Sequence, residues 1–452
     1  MYDHIIELVE ERKYKEVRRE LSNYNAADIA EILETIIEES GINAAIIVYR
    51  FLPKDVSVDV FSYLPSDDQV EMIHGITDVE TAYIIKELDF DDMIDVLEEL
   101  PANIVDKILE STPKNERSVI NTYLNYPDDC AGSLMTPNYI KLGSYWTVRE
   151  ALNHIKVVGH NSETIYTCYV TSHSRKLEGL VSLRTLVISD DDLLVEDIMQ
   201  TDLIDINVYD DQEEVSDKFK KYGFISIPVV DNEDRLVGII TVDDIFDVIE
   251  EEATEDIERM AGVLDDSNTE YLDMGIIRHA RNRFPWLFFL MMSYILTGAI
   301  ISTSEDILSK IPALIVYMPM LMGTGGNSGS QSATLVIRGI SVGEIEFIDS
   351  IKVLWKEFRI SFLIGLSLSL FTFVRVFIEQ SGHDNQMQIA LTVSFAMIAI
   401  VVAAKCIGAL LPLIAKKIGI DPALMASPMI SSLTDMVSIG TYIVLASAIL
   451  GV

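Results

Sequence analysis

Between Phe284 and Val452 five stretches run almost without charge, and they leave the C-terminal part of this chain few ways to fold. Phe284 to Ser304 and Ile311 to Ile337 carry no charged residue. Ile360 to Ile378 is interrupted only by Arg375, Asn385 to Ala415 only by Lys405, and Pro422 to Val452 only by Asp435. About 20 apolar residues suffice to cross a bilayer as a helix. Hydrocarbon offers the backbone no partners, so a spanning segment closes its own hydrogen bonds as a helix. A five-span α-helical transmembrane domain over 276–452 is therefore expected.

The second stretch contains the polar, small run Gly323-Thr-Gly-Gly-Asn-Ser-Gly-Ser-Gln331. Glycine-rich backbone is tolerated at membrane depth only where it packs on protein or faces water. The expectation is that Gly323, Gly325, Gly326 and Gly329 free carbonyls, while Thr324, Asn327, Ser328, Ser330 and Gln331 add side-chain oxygens. Pro319 removes one helical hydrogen bond just before them, and Pro428 does the same in the last stretch. The same small residues would also serve close helix packing. A phosphate loop is excluded, because no Gly-x-x-x-x-Gly-Lys is present and a GxGxxG frame from Gly323 ends on Ser328. Asp435 is a lone carboxylate inside an apolar stretch. Such a charge costs about 3 kcal/mol on insertion scales, which marks it as functional. Oxygen ligands without sulfur or imidazole suit Mg²⁺ or Ca²⁺, and also accept Mn²⁺. One Asp per chain cannot offset a divalent ion, whereas a two-fold dimer brings two Asp435 side chains together.

The acidity lies elsewhere. From Ile276 onward 12 Lys+Arg face 10 Asp+Glu, whereas residues 1–275 hold 22 against 61. A surface that negative argues against nucleic acid and anionic lipid as partners. Cys130, Cys168 and Cys406 form no CxxC or zinc spacing, which suits a reducing compartment. Arg278, Arg281, Arg283, Arg338, Lys352, Lys356, Arg359, Lys416 and Lys417 flank the spans on one side, and Lys310 and Arg375 on the other. This bias places the N-terminal half in the cytoplasm and the C-terminus outside. The acidic N-terminus is not a signal peptide.

Residues 1–127 read as short helices in a superhelical stack, punctuated by Leu52-Pro53, Leu64-Pro65 and Leu100-Pro101. The cluster Asp89, Asp91, Asp92, Asp95, Glu98 and Glu99 sits on one of them. Residues 128–195 and 196–249 are two divergent copies of one unit, each strand, helix, strand, strand, helix. The copies open with Leu134-Met-Thr-Pro137 and Asp197-Ile-Met199, and close with Gly179-Leu-Val-Ser-Leu-Arg-Thr-Leu186 and Gly238-Ile-Ile-Thr-Val-Asp-Asp-Ile245. Thr and Asp caps start their helices. Residues 250–275 are expected to connect this module to the membrane. The connecting helix should carry an apolar face of Ile249, Ala253, Ile257 and Met260, with acids on the rest.

The doubled unit resembles a tandem CBS pair, which implies a regulatory α/β module and an adenine nucleotide such as ATP. The positions implicated are Arg184, Phe224 and Asp244, with Thr185 standing where the first copy would have its Asp. The whole chain, mostly α, resembles the MgtE family of magnesium channels, on the domain order and on Pro319 to Arg338, Asp421 to Leu424 and Leu433 to Asp435. It departs from that pattern at Ser330 and Ser427. The resemblance implies a homodimer in the cytoplasmic (inner) membrane, with a pore lined by the second and fifth spans. It implies that hydrated Mg²⁺ binds at Asp435, with Gly323, Gly326, Asn327 and Ser431 assisting. It further implies regulatory Mg²⁺ held among Asp91, Asp95, Asp211, Glu213, Asp244, Asp247, Glu255 and Asp256, closing the pore when cytosolic Mg²⁺ is plentiful. Physics supports such a device, since two carboxylates about 5 Å apart repel by roughly 3 kcal/mol at an effective dielectric near 20. No nucleophile–base pair or metal–His set points to an enzyme. The rival readings are a transporter of Co²⁺ or Mn²⁺ and a membrane-tethered nucleotide sensor that conducts nothing.

Overall fold

The computed structural model describes residues 2–263, 271, 274–383, 385–425 and 427–451. It separates into two units, Met1–Ile249 and Glu250–Val452. The part of the expected connecting segment at 264–270, 272 and 273 lies outside the described residues, as does the side chain of Ser427.

The first unit opens with ten short helices, from Asp3–Glu10 to Lys114–Tyr123. Their boundaries follow from proline. Pro53, Pro65, Pro101 and Pro113 each occupy the residue before a helix, with φ of −57°, −53°, −56° and −54°. Proline's ring fixes that angle, and its missing N–H is not wanted at a helix start. The helices bury Ile32, Leu33, Ile36, Phe61, Met72, Ile94 and Leu97. This core runs on without a break into Val208, Val215, Phe219, Ile227 and Ile240 of the second repeat.

The two repeats fold alike, as expected. Strand Tyr139–Leu142 pairs parallel with Thr164–Thr171, which pairs antiparallel with Leu177–Ser182. Ile206–Asn207, Ser226–Val230 and Leu236–Thr241 repeat that pattern. Thr147, Ser182 and Asp211 cap the helices that follow them. The opening motifs of the repeats are exchanged. Met199 of the second copy covers Gly179 of the first, and Met135 of the first covers Gly238 of the second. A Cβ at Gly179 or Gly238 would lie 2.6 or 2.8 Å from the facing methionine sulfur, so neither position accepts a side chain. The backbones join there, through Thr136 N–H to Ile239 O (2.8 Å) and a reciprocal pair between Leu180 and Gln200. Tyr169 and Ser226 hydroxyls meet at 2.7 Å between the sheets.

Helix Val242–Ala261 grows directly from the last strand of the second repeat. Gly262, with φ +73°, ends it. The apolar face expected here is covered only at its ends, where Ile249 and Met260 pack against neighbouring core residues. Ala253 and Ile257 are exposed, whereas Glu251, Glu252, Glu255, Asp256 and Glu258 are partly buried. On the acidic side Arg259 ion-pairs with Glu255 and also with Asp421 (2.6 Å), which draws that side toward the protein.

Five long helices complete the second unit: Ile276–Thr303, Ala313–Ser341, Ser350–Glu379, Gln386–Lys417 and Ser427–Leu450, here the first to fifth spans. The first, third, fourth and fifth are long and apolar enough to cross a membrane. The second has 29 residues, ample length, but is diluted by its polar glycine run. The fourth span is the most buried, and the second, third and fifth pack around it. The protein is thus a multi-pass membrane protein, mostly helical, with an α/β module in its other unit.

Candidate ion path and acidic cluster

The glycine run does not free its carbonyls. Helix Ala313–Ser341 is continuous through Pro319 and all four glycines, so the carbonyls of the run stay inside the helical ladder. Proline loses only its own bond, and the glycines are retained for contact. A Cβ at Gly325 would lie 2.6 Å from Ser438 Oγ, and one at Gly329 2.7 Å from Ile430 Cγ2 and 3.1 Å from the Ala404 carbonyl oxygen. A Cβ at Gly408 would overlap the Gly329 carbonyl oxygen. The second span thus crosses the fourth backbone to backbone at Gly329 and Gly408, and admits side chains of the fifth, Ile430 and Ser438, at its glycines. Pro428 also removes nothing, because it lies in the first turn of the last helix.

The opposite stripe of the second span is open. Gly323, Asn327, Gln331, Thr334 and Arg338 recur three or four residues apart and are all exposed. A polar stripe at membrane depth must face water or protein rather than lipid. Of the oxygens expected from this region, the side chains of Asn327 and Gln331 are the ones presented outward. Gly326 faces the fifth span, where a Cβ would lie 3.4 Å from Ser431 Oγ, so the structure does bring these two predicted positions together.

Asp435 lies on the fifth span, 9% exposed. Its Oδ2 accepts a hydrogen bond from Tyr294 Oη at 3.3 Å. The basic residue of the fourth span does not neutralise it. Lys405 Nζ instead lies 3.9 Å from Glu357 Oε2 and donates to Ser332 Oγ at 3.3 Å. Ser332 in turn donates to Glu357 Oε2 at 2.6 Å. A buried three-helix network therefore satisfies Lys405, and among the described residues no basic side chain pairs with Asp435. Neither Tyr294 nor the Glu357–Ser332–Lys405 set stood out in the sequence. Tyr294 is one aromatic among many in its span, and Glu357 precedes the apolar stretch in which its helix was recognised.

At the other end, Met260 packs against Ala333, Ile337, Ile430 and Leu411. Asp421 holds Arg259 with Oδ2 and caps the turn Pro422–Met425 by accepting Ala423 N–H on Oδ1 at 2.7 Å. The connecting helix is therefore fastened to the start of the fifth span. Of the two acids expected there as metal ligands, Glu255 is engaged by Arg259.

In the first unit, carboxylates from three segments share one environment. Burial pushes Asp91 up to about 6 and Asp92 to about 7, and the charges of Asp89 and Asp243 add to both. Burial, reinforced by Asp91, raises Asp244 to about 8. Glu163 from the first repeat is likewise raised to about 8 by burial, then by Asp91, Asp89, Asp243 and Asp92. Asp247 acts on Asp92. Asp91, Asp244 and Asp247 are thus gathered as expected, together with Glu163 and Asp243, which were not. Asp95 is exposed, and Asp211 caps its helix by accepting Glu213 N–H at 2.8 Å. Among the described residues no three acidic, His or Cys side chains are placed to hold one ion directly. Of the positions implicated in nucleotide binding, Asp244 accepts Thr241 Oγ1 at 2.9 Å, Phe224 stacks on Tyr222, and Arg184 is exposed.

The folded cluster holds protons that unfolded carboxylates lose near pH 4, so its relative stability is greatest at low pH. It is lost as pH rises toward about 8, the value of Asp244 and Glu163. A cation entering the cluster must displace those protons. Adding Mg²⁺ to the weakly buffered full-length protein at pH 7 should release protons, and the yield should vanish above pH 9. Proton-neutral binding at pH 7 would show that the cluster is not where the ion goes.

Comparison with known proteins agrees with this layout. The MgtE divalent cation transporter family model matches residues 318–445, the MgtE intracellular N domain matches 4–129, and a CBS domain matches 195–251. The magnesium transporter MgtE of Thermus thermophilus is 36% identical over 334 residues, 74% of this chain and 73% of that protein. The Bacillus subtilis magnesium transporter MgtE is 33% identical over 364 residues, 80% and 79% of the two chains. A solved cytosolic domain of the Mg²⁺ channel MgtE in complex with ATP superposes with a TM-score of 0.51 at 30% identity, covering 55% of this chain and all of that one. On its N-terminal and CBS modules, its spans and these relatives, this chain belongs to the MgtE family of divalent cation transporters.

Proposed function

We propose that this protein conducts Mg²⁺ across the cytoplasmic membrane as a homodimer, with its N-terminal half in the cytoplasm. The observation that carries the reading is Asp435, a carboxylate buried in a spanning helix with no basic side chain beside it among the described residues, while Lys405 is held by Glu357. Two such groups facing each other across a two-fold axis require a doubly charged guest. The open stripe of Gly323, Asn327 and Gln331 supplies the polar wall, and Gly326 with Ser431 joins the two lining helices. The relatives are named magnesium transporters, which favours Mg²⁺ over Co²⁺ and Mn²⁺.

Regulation follows from the acidic cluster. Mg²⁺ bound among Asp91, Asp244 and Asp247, with Glu163 and Asp243, would screen their repulsion and favour the closed pore. Asp95, Asp211, Glu213, Glu255 and Asp256 belong to the same acidic set by sequence. Swinging a two-state gate from 1:99 to 99:1 needs roughly 5.5 kcal/mol, within reach of a few such contacts. Because a related cytosolic domain was solved with ATP, an adenine nucleotide bound near Arg184, Phe224 and Asp244 would act on the same cluster through Asp244.

The test is Mg²⁺ flux into liposomes loaded with a Mg²⁺-sensitive dye. The full chain should conduct Mg²⁺ and fall silent when millimolar Mg²⁺ is placed on its cytosolic face. A chain lacking residues 1–127 should conduct but close poorly. No flux from folded protein would remove the channel reading, and unchanged closure in the truncated chain would remove the sensing role of that domain.

A further inference from the structure

Tyr294 is the feature of the ion path that the reading above does not use. From Phe284 on the first span is mostly apolar and largely exposed in the single chain; Thr297 is its one buried residue among those described. Tyr294 is one turn before Thr297, on the side from which that span meets the fifth. Its hydroxyl points at Oδ2 of Asp435 at 3.3 Å. That is longer than a usual O–H···O bond, and the donor is neutral. The contact therefore orients the carboxylate without cancelling its charge. Among the described residues no second hydrogen bond to Asp435 is present, so Oδ1 has no protein donor there.

This geometry bears on which divalent ion is accepted. Ca²⁺ binds carboxylates readily in bidentate fashion and adapts to irregular shells, whereas Mg²⁺ keeps its waters and is held through single oxygens. We infer that Tyr294 is a specificity-determining positioning residue: by occupying Oδ2 it restricts Asp435 to one-oxygen, water-mediated contact, and so favours Mg²⁺ over Ca²⁺. The inference rests on the proposed role of Asp435 in the pore and adds the selectivity element to it.

The experiment is liposome flux of Mg²⁺ and Ca²⁺ through the full-length protein and three variants. Tyr294→Phe keeps the ring and removes the donor. Its Ca²⁺-to-Mg²⁺ flux ratio should rise on the order of tenfold, the weight of one hydrogen bond to a charged acceptor. Tyr294→Gln restores a donor and should return the ratio toward that of the unaltered chain. Thermal midpoints of both variants in detergent identify any loss of folding, and the Gln variant carries the comparison if the Phe variant fails to fold. Asp435→Asn separates the two claims. Normal flux in that variant overturns both the pore reading and this inference. A silent Asp435→Asn with an unchanged ratio in Tyr294→Phe overturns this inference alone. Equal ratio changes in the Phe and Gln variants also overturn it, since packing and not the donor would then be at work.

Discussion

Asp435→Asn should abolish Mg²⁺ flux, to below about one percent of the unaltered protein, while the protein folds and the proposed dimer assembles normally. Asparagine matches aspartate in volume and keeps an oxygen for Tyr294, so the change removes charge and little else. A carboxylate about 5 Å from a divalent cation attracts it by roughly 6–7 kcal/mol at an effective dielectric of 20. Removing that term from both subunits exceeds a thousandfold loss of occupancy at the site. Stability should move the other way. A buried carboxylate with one neutral hydrogen-bond partner is a cost that the fold bears for function, so the thermal midpoint in Mg²⁺-free buffer should rise. Mg²⁺ flux within a factor of two of normal would mean that the ion passes elsewhere.

Much of this was legible in the sequence because the relevant signals are local. Charge-free stretches of spanning length mark membrane helices whatever their packing. Pro53, Pro65 and Pro101 mark helix starts because φ and the missing N–H act within one residue. The exchanged methionines at Gly179 and Gly238 show the limit. The motifs repeat visibly, but the reason they repeat is a pair of contacts between copies, Gly179 with Met199 and Gly238 with Met135, which the sequence does not display. The glycine run failed as a prediction of open backbone for the same reason. Glycine at membrane depth can expose carbonyls or admit a neighbouring helix, and only the presence of Gly408 and Ala404 alongside decides in favour of the second. Polar pairings across helices were invisible outright. Tyr294 and Asp435 are 141 residues apart, and Lys405 and Ser332 are 73 apart.

That last pairing carries the other large expected effect. Glu357 and Lys405 are both deeply buried in a membrane domain, and Ser332 bridges them from the second span, one residue beyond the glycine run. Breaking a buried pair by removing one partner strands the other, typically at 3–5 kcal/mol, whereas replacing both with neutral groups of similar shape is often harmless. Lys405→Met and Glu357→Gln should each lower the thermal stability of the solubilised protein by that order. The double variant should recover most of the loss. The interaction energy from the double-mutant cycle should be about 2 kcal/mol or more, at the upper end of what contacting residues show. Transport should follow the same pattern, because Ser332 fixes the rotation of the helix whose other side carries Asn327 and Gln331. Single variants that still fold should conduct poorly even though neither altered residue faces the open stripe, and the double variant should conduct again. Additive losses in the cycle would mean that the two charges do not form a unit, and that the second span is held in place by its glycine crossings alone.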